Sequence, residues 1–280
     1  MDLKSLWGFE GKTVVITGAA SGMSKAAAEL LLELGADVYA LDLNEVTLPV
    51  KRSWRVDMSS KAAIDAVVAE LPERIDALIQ CHGMAGWEGQ EVKVVTVNFV
   101  SQRYLAEALL PRIVDKGCVA FISSFGGHGW EMSWETVSQM LDTEGWDEAV
   151  AWLEANRESI FDPDSYSFSK KCLNGYVKAK CWAPEYIDRH IRINAVSPGL
   201  TRTGLTKDFE GAANEMTGGA GHDMIEDMFL SGWKGWYATS EEMGHPLVFL
   251  CSKMASYISG ENLRIAYGQD SAYDYYALQD

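Results

Sequence analysis

Long uncharged apolar runs are absent from this 280-residue chain, and none approaches the roughly 18 residues that a membrane-spanning helix needs. Residues 1–10 also lack the apolar core of an export signal. The five cysteines are scattered, odd in number and without a C-x-x-C pair, which is typical of reduced thiols in a cytoplasmic protein. These absences predict a cytoplasmic protein that does not insert into a membrane.

Metal-ligand spacings and an excess of basic residues are missing as well. The five histidines form no H-E-x-x-H or similar pattern, so we predict no metal site. Acidic residues outnumber basic ones by 40 to 24, and the resulting net charge of −16 argues against binding to nucleic acid or anionic membranes. The proportions of hydrophobic (48%) and charged (23%) residues are those of an ordinary globular protein.

The chain does contain a regular alternation of apolar, β-branched runs with segments of helical periodicity. The runs predict seven strands, at residues 12–17, 37–42, 55–57, 76–81, 118–123, 191–196 and 262–266. Helices are predicted between them, among them residues 25–34, 59–70, 94–114 and 165–182. This alternation predicts an α/β fold, a doubly wound parallel sheet of the Rossmann type. Because no linker or repeat divides the sequence, residues 1–280 are predicted to form a single domain.

Two segments interrupt the alternation. Residues 125–165 carry ten acidic side chains against Arg157 alone, so this segment contributes −9 of the net charge, and four tryptophans lie in it. Trp146, Val150 and Leu153 recur at helical spacing, which predicts an amphipathic helix from Trp146 to Ser159. Residues 204–239 are rich in glycine, methionine and aromatic residues. We interpret the first segment as a helical insertion and the second as a lid over a substrate.

The turn after the first strand has the composition of a nucleotide-binding loop. Glycines at 18 and 22 let the backbone approach a pyrophosphate, which then lies at the N-terminus of the following helix. Asp42 ends the second strand, where a carboxylate accepts hydrogen bonds from an adenosine ribose and repels a 2′-phosphate. Since no arginine directly follows Asp42, the sequence favours NAD(H) over NADP(H).

Tyr166 and Lys170 are four residues apart on a predicted helix and therefore share one of its faces. A phenol normally titrates near pH ~10 and is a poor base at neutrality. A fixed cation beside it favours the phenolate, so Lys170 is predicted to lower the pKa of Tyr166 and to make it a usable proton donor and acceptor.

In combination these motifs resemble the short-chain dehydrogenase/reductase family over nearly the whole chain. The family's T-G-x-x-x-G-x-G turn is matched by Thr17, Gly18 and Gly22, with Ser24 in place of the last glycine, and we expect the small serine to preserve close packing. The resemblance implies a catalytic set made of Asn98, Ser124, Tyr166 and Lys170. In this set the tyrosine transfers the proton, the serine orients the reacting oxygen, the lysine holds the nicotinamide ribose, and the asparagine positions a water.

The resemblance also implies the residues that contact the cofactor, NAD. They are Gly18, Ser21, Gly22, Met23, Asp42, Asp57, Met58, Gly83, Tyr166, Lys170, Pro198, Gly199, Thr201 and Thr203. The family's N-N-A-G after the fourth strand is replaced by residues 80–83, which retain only the final glycine. His82 is thereby placed near the cofactor, either with a role of its own or simply to fill a loop position.

Among family members, bacterial 3α-hydroxysteroid dehydrogenase/carbonyl reductases have a similar insertion near the substrate cleft, where it obstructs one of the usual oligomer contacts. The predicted substrate contacts are Ser124, Phe125, Trp130, Tyr166, Met216 and Met228. As an alternative, the tryptophans of the insertion pack the added helices onto the body of the protein.

The predicted activity is NAD-dependent interconversion of a secondary alcohol and a ketone on a bulky apolar substrate, a hydroxysteroid or bile acid first. Terpenoid and aromatic carbonyl compounds stay open as substrates. Two other classes are kept as alternatives: a dinucleotide-binding regulator without turnover, and a dehydratase or epimerase on the same fold. A homodimer or homotetramer is expected.

Overall fold

Seven parallel strands form a single sheet in the computed structural model, in the order β3-β2-β1-β4-β5-β6-β7. The structure describes residues 3–86, 89–161, 164–230, 237–276 and 278, without the side chains of residues 3, 161, 212, 216 and 226–230. The strands are β1 (Thr13–Thr17), β2 (Asp37–Asp42), β3 (Arg52–Arg55), β4 (Ile75–Gln80), β5 (Ile113–Ile122), β6 (Arg192–Pro198) and β7 (Asn262–Ile265). The strand order reverses between β1 and β4, and ligands of such sheets bind at the carboxyl ends of the strands next to that reversal.

Helices cover both faces of the sheet, as the strand-helix alternation predicted. They are α1 (Leu3–Trp7), α2 (Gly22–Glu33), α3 (Lys61–Glu70), α4 (Glu91–Val95), α5 (Ser101–Leu109), α6 (Trp134–Asp142), α7 (Gly145–Ala155), α8 (Ser165–Lys180), α9 (Pro184–Ile187), α10 (Gly204–Thr217), α11 (Gly221–Leu230), α12 (Ser240–Cys251) and α13 (Gln269–Tyr276). The Rossmann-type fold in one domain is confirmed.

Two hydrophobic cores lie on opposite faces of the sheet because successive strand residues point in opposite directions. Val14 and Ile16 of β1 join the core under α2 and α12. Val15, between them, joins the larger core with α3, α5 and α8. The near-continuous apolar strands therefore result from burial on both faces, as expected for a parallel sheet.

Helix α12 lies directly against the backbone of α2. A Cβ atom added at Gly244 would come within 2.5 Å of the Met23 carbonyl oxygen and 2.8 Å of the Ala27 amide nitrogen. Only glycine fits at this crossing, because the atoms in the way belong to backbone. Since α2 starts at the predicted nucleotide turn, Gly244 helps to fix the position of that turn.

The predicted helical insertion forms α6, α7 and short 3₁₀ turns, and it packs onto α4, α5 and α8. Val137, Met140, Trp146 and Leu153 are all buried in the larger core. The helix predicted from Trp146 to Ser159 is shorter than expected and ends at Ala155, after which a 3₁₀ turn follows. The insertion thus covers outer surfaces of α5 and α8.

A buried arginine of α5 holds the turn between the two inserted helices. Arg103 is 2% exposed. Its guanidinium donates hydrogen bonds to Met140 O (3.2 Å), Thr143 Oγ1 (3.1 Å) and Gly145 O (2.8 Å). Guanidinium supplies several donors in one plane, so one side chain satisfies three acceptors of the turn.

The sequence misplaced several boundaries. The third strand is Arg52–Arg55 rather than residues 55–57, and the fifth begins at Ile113 rather than at residue 118. The helix predicted over residues 94–114 is divided by a π-helical turn from Thr96 to Val100. Within the described ranges, no helix is long and apolar enough to cross a membrane.

Candidate active site

The turn between β1 and α2 has the geometry of a dinucleotide cradle. Gly18 has a φ of 77°, and a Cβ atom there would lie 3.0 Å from the backbone nitrogen of His82. Ser21 directly precedes α2, and its side chain makes no capping hydrogen bond to the helix. The amide groups in the first turn of α2 are therefore open to an anion. Ser24 is buried and donates to Thr17 O at 2.8 Å. The expectation that serine preserves close packing here is confirmed.

Asp42 lies beside this turn with both carboxylate oxygens engaged. Oδ2 accepts from the Ala20 amide at 2.9 Å and Oδ1 from the Asn44 amide at 2.8 Å. Each oxygen keeps a further lone pair for a ribose hydroxyl. Asp57, also predicted to contact the cofactor, accepts hydrogen bonds from the hydroxyl and the amide of Ser59, which lower its pKa.

Sequence reasoning overlooked Arg55, which β3 brings next to Asp42. These two residues are register partners on adjacent strands. Arg55 Nε donates to Leu43 O at 3.2 Å, so a guanidinium lies at the turn that follows Asp42. Strand pairing, rather than sequence adjacency, supplies this cation, which explains why inspection of residues 43–45 missed it.

His82 bridges the end of β1 and the start of α5. Its Nδ1 lies 2.7 Å from Thr17 Oγ1, and its Nε2 lies 2.8 Å from Ser101 Oγ. Ser101 Oγ already donates its proton to Val97 O, so it accepts from His82 Nε2–H, and Thr17 donates to Nδ1. The neutral Nε2–H tautomer therefore satisfies every group in this chain of hydrogen bonds. His82 thus connects two elements of the fold and does more than fill a loop position.

We expect this imidazole to destabilise the fold in acid. Burial lowers the pKa of His82 from 6.5 to about 3. Below pH 6.5 the unfolded chain therefore binds a proton that the folded chain does not, and the free energy of unfolding falls by about 1.4 kcal/mol per pH unit. Urea unfolding between pH 7 and 4.5 should show a smaller loss in His82→Ala than in the wild type. The exposed His245→Ala serves as control; equal losses in His82→Ala and wild type would contradict the assignment.

Ser124 and Ser123 point in opposite directions at the end of β5, as strand alternation predicts. Ser123 is buried and donates a hydrogen bond to Oδ1 of Asn174 in α8 at 2.6 Å. Ser124 is partly exposed and accepts from the Gly126 amide at 3.1 Å. Its hydroxyl also lies close enough to the Tyr166 phenol to act on the pKa of that group, which it lowers.

The structure brings Tyr166 and Lys170 together on one face of α8, with Lys170 Nζ 5.6 Å from the centre of the phenol ring. The predicted lowering of the Tyr166 pKa is wrong for this arrangement. Burial raises the pKa of Tyr166 to about 12, and the nearby Ser124 hydroxyl only partly offsets it. Burial also lowers the pKa of Lys170 to about 8. The Lys170 ammonium donates a hydrogen bond to Ile122 O at 2.9 Å. This bond ties the ammonium to the end of β5 while it also lies beside the phenol ring.

Asn98 lies at the centre of the π-helical turn and is fully buried. Its Oδ1 accepts from the Met84 amide at 2.8 Å and its Nδ2 donates to Met84 O at 2.9 Å. The side chain is thus used to hold the loop after β4. A Cβ atom at Gly83 would come within 3.1 Å of Asn98 Oδ1, so the predicted cofactor glycine permits this close contact.

The loop after β6 meets the nucleotide turn. A Cβ atom at Gly22 would be 3.5 Å from Thr203 Cγ2, while one at Gly199 would collide with Ala266. Thr201 is buried and donates to Gly199 O at 3.0 Å. A cavity of about 740 Å³ opens here, lined in part by Gly22, Arg202, Thr203, Lys207 and Tyr237. Its two cations suit an anionic group such as a pyrophosphate.

The predicted substrate contacts are not all brought to the phenol. Phe125 is next to Ser124 in the chain, and its ring lies 5.8 Å from that of Tyr273 in α13. Trp130 lies on the far side of α8, 3.4 Å from the position of a Cβ atom at Gly175. Gly175 follows Tyr166 by nine residues, about two and a half helical turns, so the two residues lie on opposite faces of the helix. It packs the insertion onto the body, as the alternative stated. The side chains of Met216 and Met228, and all of residues 231–236 in the predicted lid, lie outside the described residues.

Phe209 of α10 is a neighbour of Tyr166 in the candidate site that sequence reasoning missed. Its ring centre lies 4.9 Å from that of Tyr166, and the two planes meet at 82°. The sequence contains a signal for this neighbour. Leu205 and Phe209 are four residues apart, so two large apolar side chains lie on one face of α10. In the part of the chain that the structure describes, no group of three or more potential ligands is placed to hold a metal ion.

Two family models match the chain. The model described as short chain dehydrogenase matches residues 12–135, and the model described as enoyl-(acyl carrier protein) reductase matches residues 150–269. Between them they include the nucleotide turn, Ser124 and the Tyr166–Lys170 pair. The match therefore extends over both halves of the site.

Curated relatives are similar along nearly their whole length. The chain is 30% identical over 276 residues to 3beta-hydroxysteroid dehydrogenase 2 of Eggerthella lenta (91% of this chain, 93% of that protein). It is 27% identical over 265 residues to coniferyl-alcohol dehydrogenase of Pseudomonas sp. strain HR199 (94% and 98%). It is 26% identical over 261 residues to 3-alpha-hydroxysteroid dehydrogenase/carbonyl reductase of Comamonas testosteroni (92% and 96%).

A solved structure has the same fold. The 3-alpha-hydroxysteroid dehydrogenase from Pseudomonas sp. B-0831, complexed with NADH, superposes with a TM-score of 0.70. That comparison covers 91% of this chain and 95% of the other, at 22% sequence identity.

Proposed function

Since the chain belongs to the short-chain dehydrogenase/reductase family, we propose that it is an NAD(H)-dependent dehydrogenase that interconverts a secondary alcohol and a ketone on a bulky apolar substrate. The observation that carries the proposal is the placement of Lys170 beside the Tyr166 ring on one face of α8, with Ser124 near enough to influence the phenol. A protein that only binds a dinucleotide has no need of this arrangement, and neither a regulator nor a dehydratase is favoured by it.

The described residues fit a dinucleotide. The cradle at Gly18, the open first turn of α2 and the cations Arg202 and Lys207 suit its pyrophosphate. For the adenosine ribose, the Asp42 carboxylate favours two free hydroxyls, whereas Arg55 is suited to a 2′-phosphate. We propose NAD(H), because the carboxylate is 8% exposed and lies at the turn itself, while Arg55 is exposed to solvent that screens its charge.

The chemistry of the proposed reaction is divided between this chain and the cofactor. The nicotinamide, when bound, supplies or accepts the hydride. Tyr166 Oη removes the hydroxyl proton during oxidation and returns it during reduction. Ser124 Oγ donates a hydrogen bond to the same oxygen and so fixes its position. Lys170, beside the ring, would hold the nicotinamide ribose.

Asn98 is proposed to act by holding the loop after β4 rather than through a free side-chain amide. Both of its polar side-chain atoms are bound to Met84. This leaves its backbone, within the π-helical turn, to position a water on the path to Lys170. Such turns are frequent at functional sites, where they reorient backbone groups.

A hydroxysteroid or bile acid is the proposed substrate. Phe209 gives the space over Tyr166 an apolar wall, which suits a rigid ring system. The similarity to two hydroxysteroid dehydrogenases supports this choice. An aromatic alcohol is the second candidate, favoured by the similarity to coniferyl-alcohol dehydrogenase over 98% of that protein; terpenoid alcohols belong to the same size class.

A panel of alcohols tests the proposal through the absorbance of the reduced cofactor. Hydroxysteroids, a hydroxycinnamyl alcohol, a terpenoid alcohol and glycerol are each offered with NAD and with NADP. We expect kcat/KM with NAD to be highest for the ring-bearing alcohols, by about tenfold or more over glycerol. Preference for NADP would overturn the role of Asp42. Absence of turnover with every alcohol, and with the matching ketones, would favour the non-catalytic regulator. Gel filtration with light scattering tests the proposed homodimer or homotetramer.

A further inference from the structure

We propose that Phe209 is a positioning and specificity residue: its ring closes over the Tyr166 phenol, excludes water from it and forms the wall against which the substrate's ring skeleton packs. The proposal deepens the proposed function and rests on it for the identity of the reaction. One residue of the predicted lid then has two effects. It influences the ionisation of the Tyr166 phenol, and it contributes to substrate binding.

The first argument is the direct contact. The two ring centres are 4.9 Å apart at 82°, an edge-to-face arrangement that aromatic pairs favour. Around the rest of the tyrosine, Gly126 lies close to Cδ1 and Gly86 lies close to Cβ. Glycines add no side chain at these positions, and among the described residues Phe209 places a large aromatic ring over the phenol.

The second argument is that Phe209 is held in place by the first turn of α10. Thr206 Oγ1 donates to Thr201 O, and the Thr203 and Thr206 hydroxyls lie 3.3 Å apart. These bonds fix the turn just before Phe209 to the loop that follows β6. Because that loop meets Gly22, the position of the ring depends on the segment that lines the proposed cofactor site.

The third argument is that α10 is in direct contact with α11, the next helix of the predicted lid. The Gly221 amide donates to Asn214 Oδ1 at 2.8 Å. A Cβ atom at Gly221 would lie 2.3 Å from the Asn214 amide nitrogen, so the two helices are in backbone contact. These contacts brace the helix that carries Phe209 against its neighbour and so support the position of the ring.

The Tyr166 environment supplies the expected direction of the effect. Burial is the largest cause that raises the pKa of Tyr166 to about 12. Truncation of the Phe209 ring admits water to the phenolate and lowers the cost of ionisation. The phenol of Phe209→Ala should therefore titrate below 12, towards the ordinary value near ~10.

The test combines a titration with kinetics. Protein labelled with ¹³Cζ-tyrosine is titrated by NMR without cofactor, and Tyr166→Phe assigns the Tyr166 signal. Phe209→Ala should shift that signal's titration to lower pH and raise KM for the best ring-bearing alcohol of the panel by about tenfold, with little change for a small acyclic alcohol. Phe209→Leu restores the apolar volume and should recover KM. Glu215→Ala, exposed on the same helix, should behave as wild type.

The titration and the kinetics distinguish a failure of this proposal from a failure of the proposed function. Titration needs no turnover, so a protein that oxidises no alcohol still reveals whether Phe209 shields the phenol. An unchanged Tyr166 titration, or an equal rise of KM for both alcohols, overturns the proposal. Thermal unfolding of each variant verifies the fold, and Phe209→Val replaces the alanine variant if that variant does not fold.

Discussion

Replacing Tyr166 with phenylalanine should abolish turnover while cofactor affinity stays unchanged. The substitution removes one oxygen, which is the group that carries the proton in the proposed reaction. General acid–base groups contribute about 10²–10⁴-fold to rate, so we expect kcat to fall by about 10³-fold. The ring itself remains, so the edge-to-face contact with Phe209 is retained, and Ser124 keeps its hydrogen bond from the Gly126 amide. Steady-state kinetics and quenching of protein fluorescence by NADH measure the two effects.

Tyr39→Phe is the matched control for this experiment. Tyr39 lies on β2 at a centroid distance of 6.3 Å from Trp54, with near-parallel rings, so it loses the same atom at a site without proposed chemistry. Turnover should equal that of the wild type. If Tyr166→Phe also kept the wild-type rate, another group would have to carry the proton and the assignment would be lost.

Replacing Gly244 with alanine should cost several kcal/mol of folding free energy. The new methyl group would meet the Met23 carbonyl and the Ala27 amide, which are backbone atoms and cannot rotate away. Overpacking costs about 1–3 kcal/mol where side chains can adjust, and we expect about 3 kcal/mol here. Since α2 must shift, the nucleotide turn at its start shifts too, and NADH should bind more weakly. Urea unfolding and NADH titration measure both losses.

Gly211→Ala provides the contrast within the same protein. Gly211 lies inside α10 with nothing within 4 Å of an added Cβ atom. Alanine there should be neutral or stabilise the fold by about 0.5–1 kcal/mol, because it restricts the unfolded chain. A wild-type unfolding curve for Gly244→Ala would show that α2 and α12 are less closely packed than described.

The fold was predictable because its determinants are local and repeated. Apolar runs that are buried on both faces, as at Val14, Val15 and Ile16, identify parallel strands without further information. The break at Asn98 was not predictable in this way. There the Asn98 side chain and the Met84 backbone exchange two hydrogen bonds, which a helical pattern over residues 94–114 does not encode.

The candidate site was predictable where spacing decides the geometry and unpredictable where tertiary contacts decide it. Tyr166 and Lys170 share a face of α8 because four residues complete about one helical turn. The pKa of Tyr166 depends instead on burial, which no spacing reveals. Arg55 reaches Asp42 through the pairing of two strands, and Trp130 turns away from the phenol because the insertion folds over the far side of α8.

The hydroxyl–imidazole–hydroxyl chain at His82 provides a resident spectroscopic probe. An imidazole that is 8% exposed and bound at both nitrogens should exchange its Nε2 proton slowly with water. The NMR chemical shift of that proton should then depend on the distance between β1 and α5, and it can be followed without isotope labelling. Because the backbone of His82 lies against Gly18, the same signal should respond when a dinucleotide occupies the cradle.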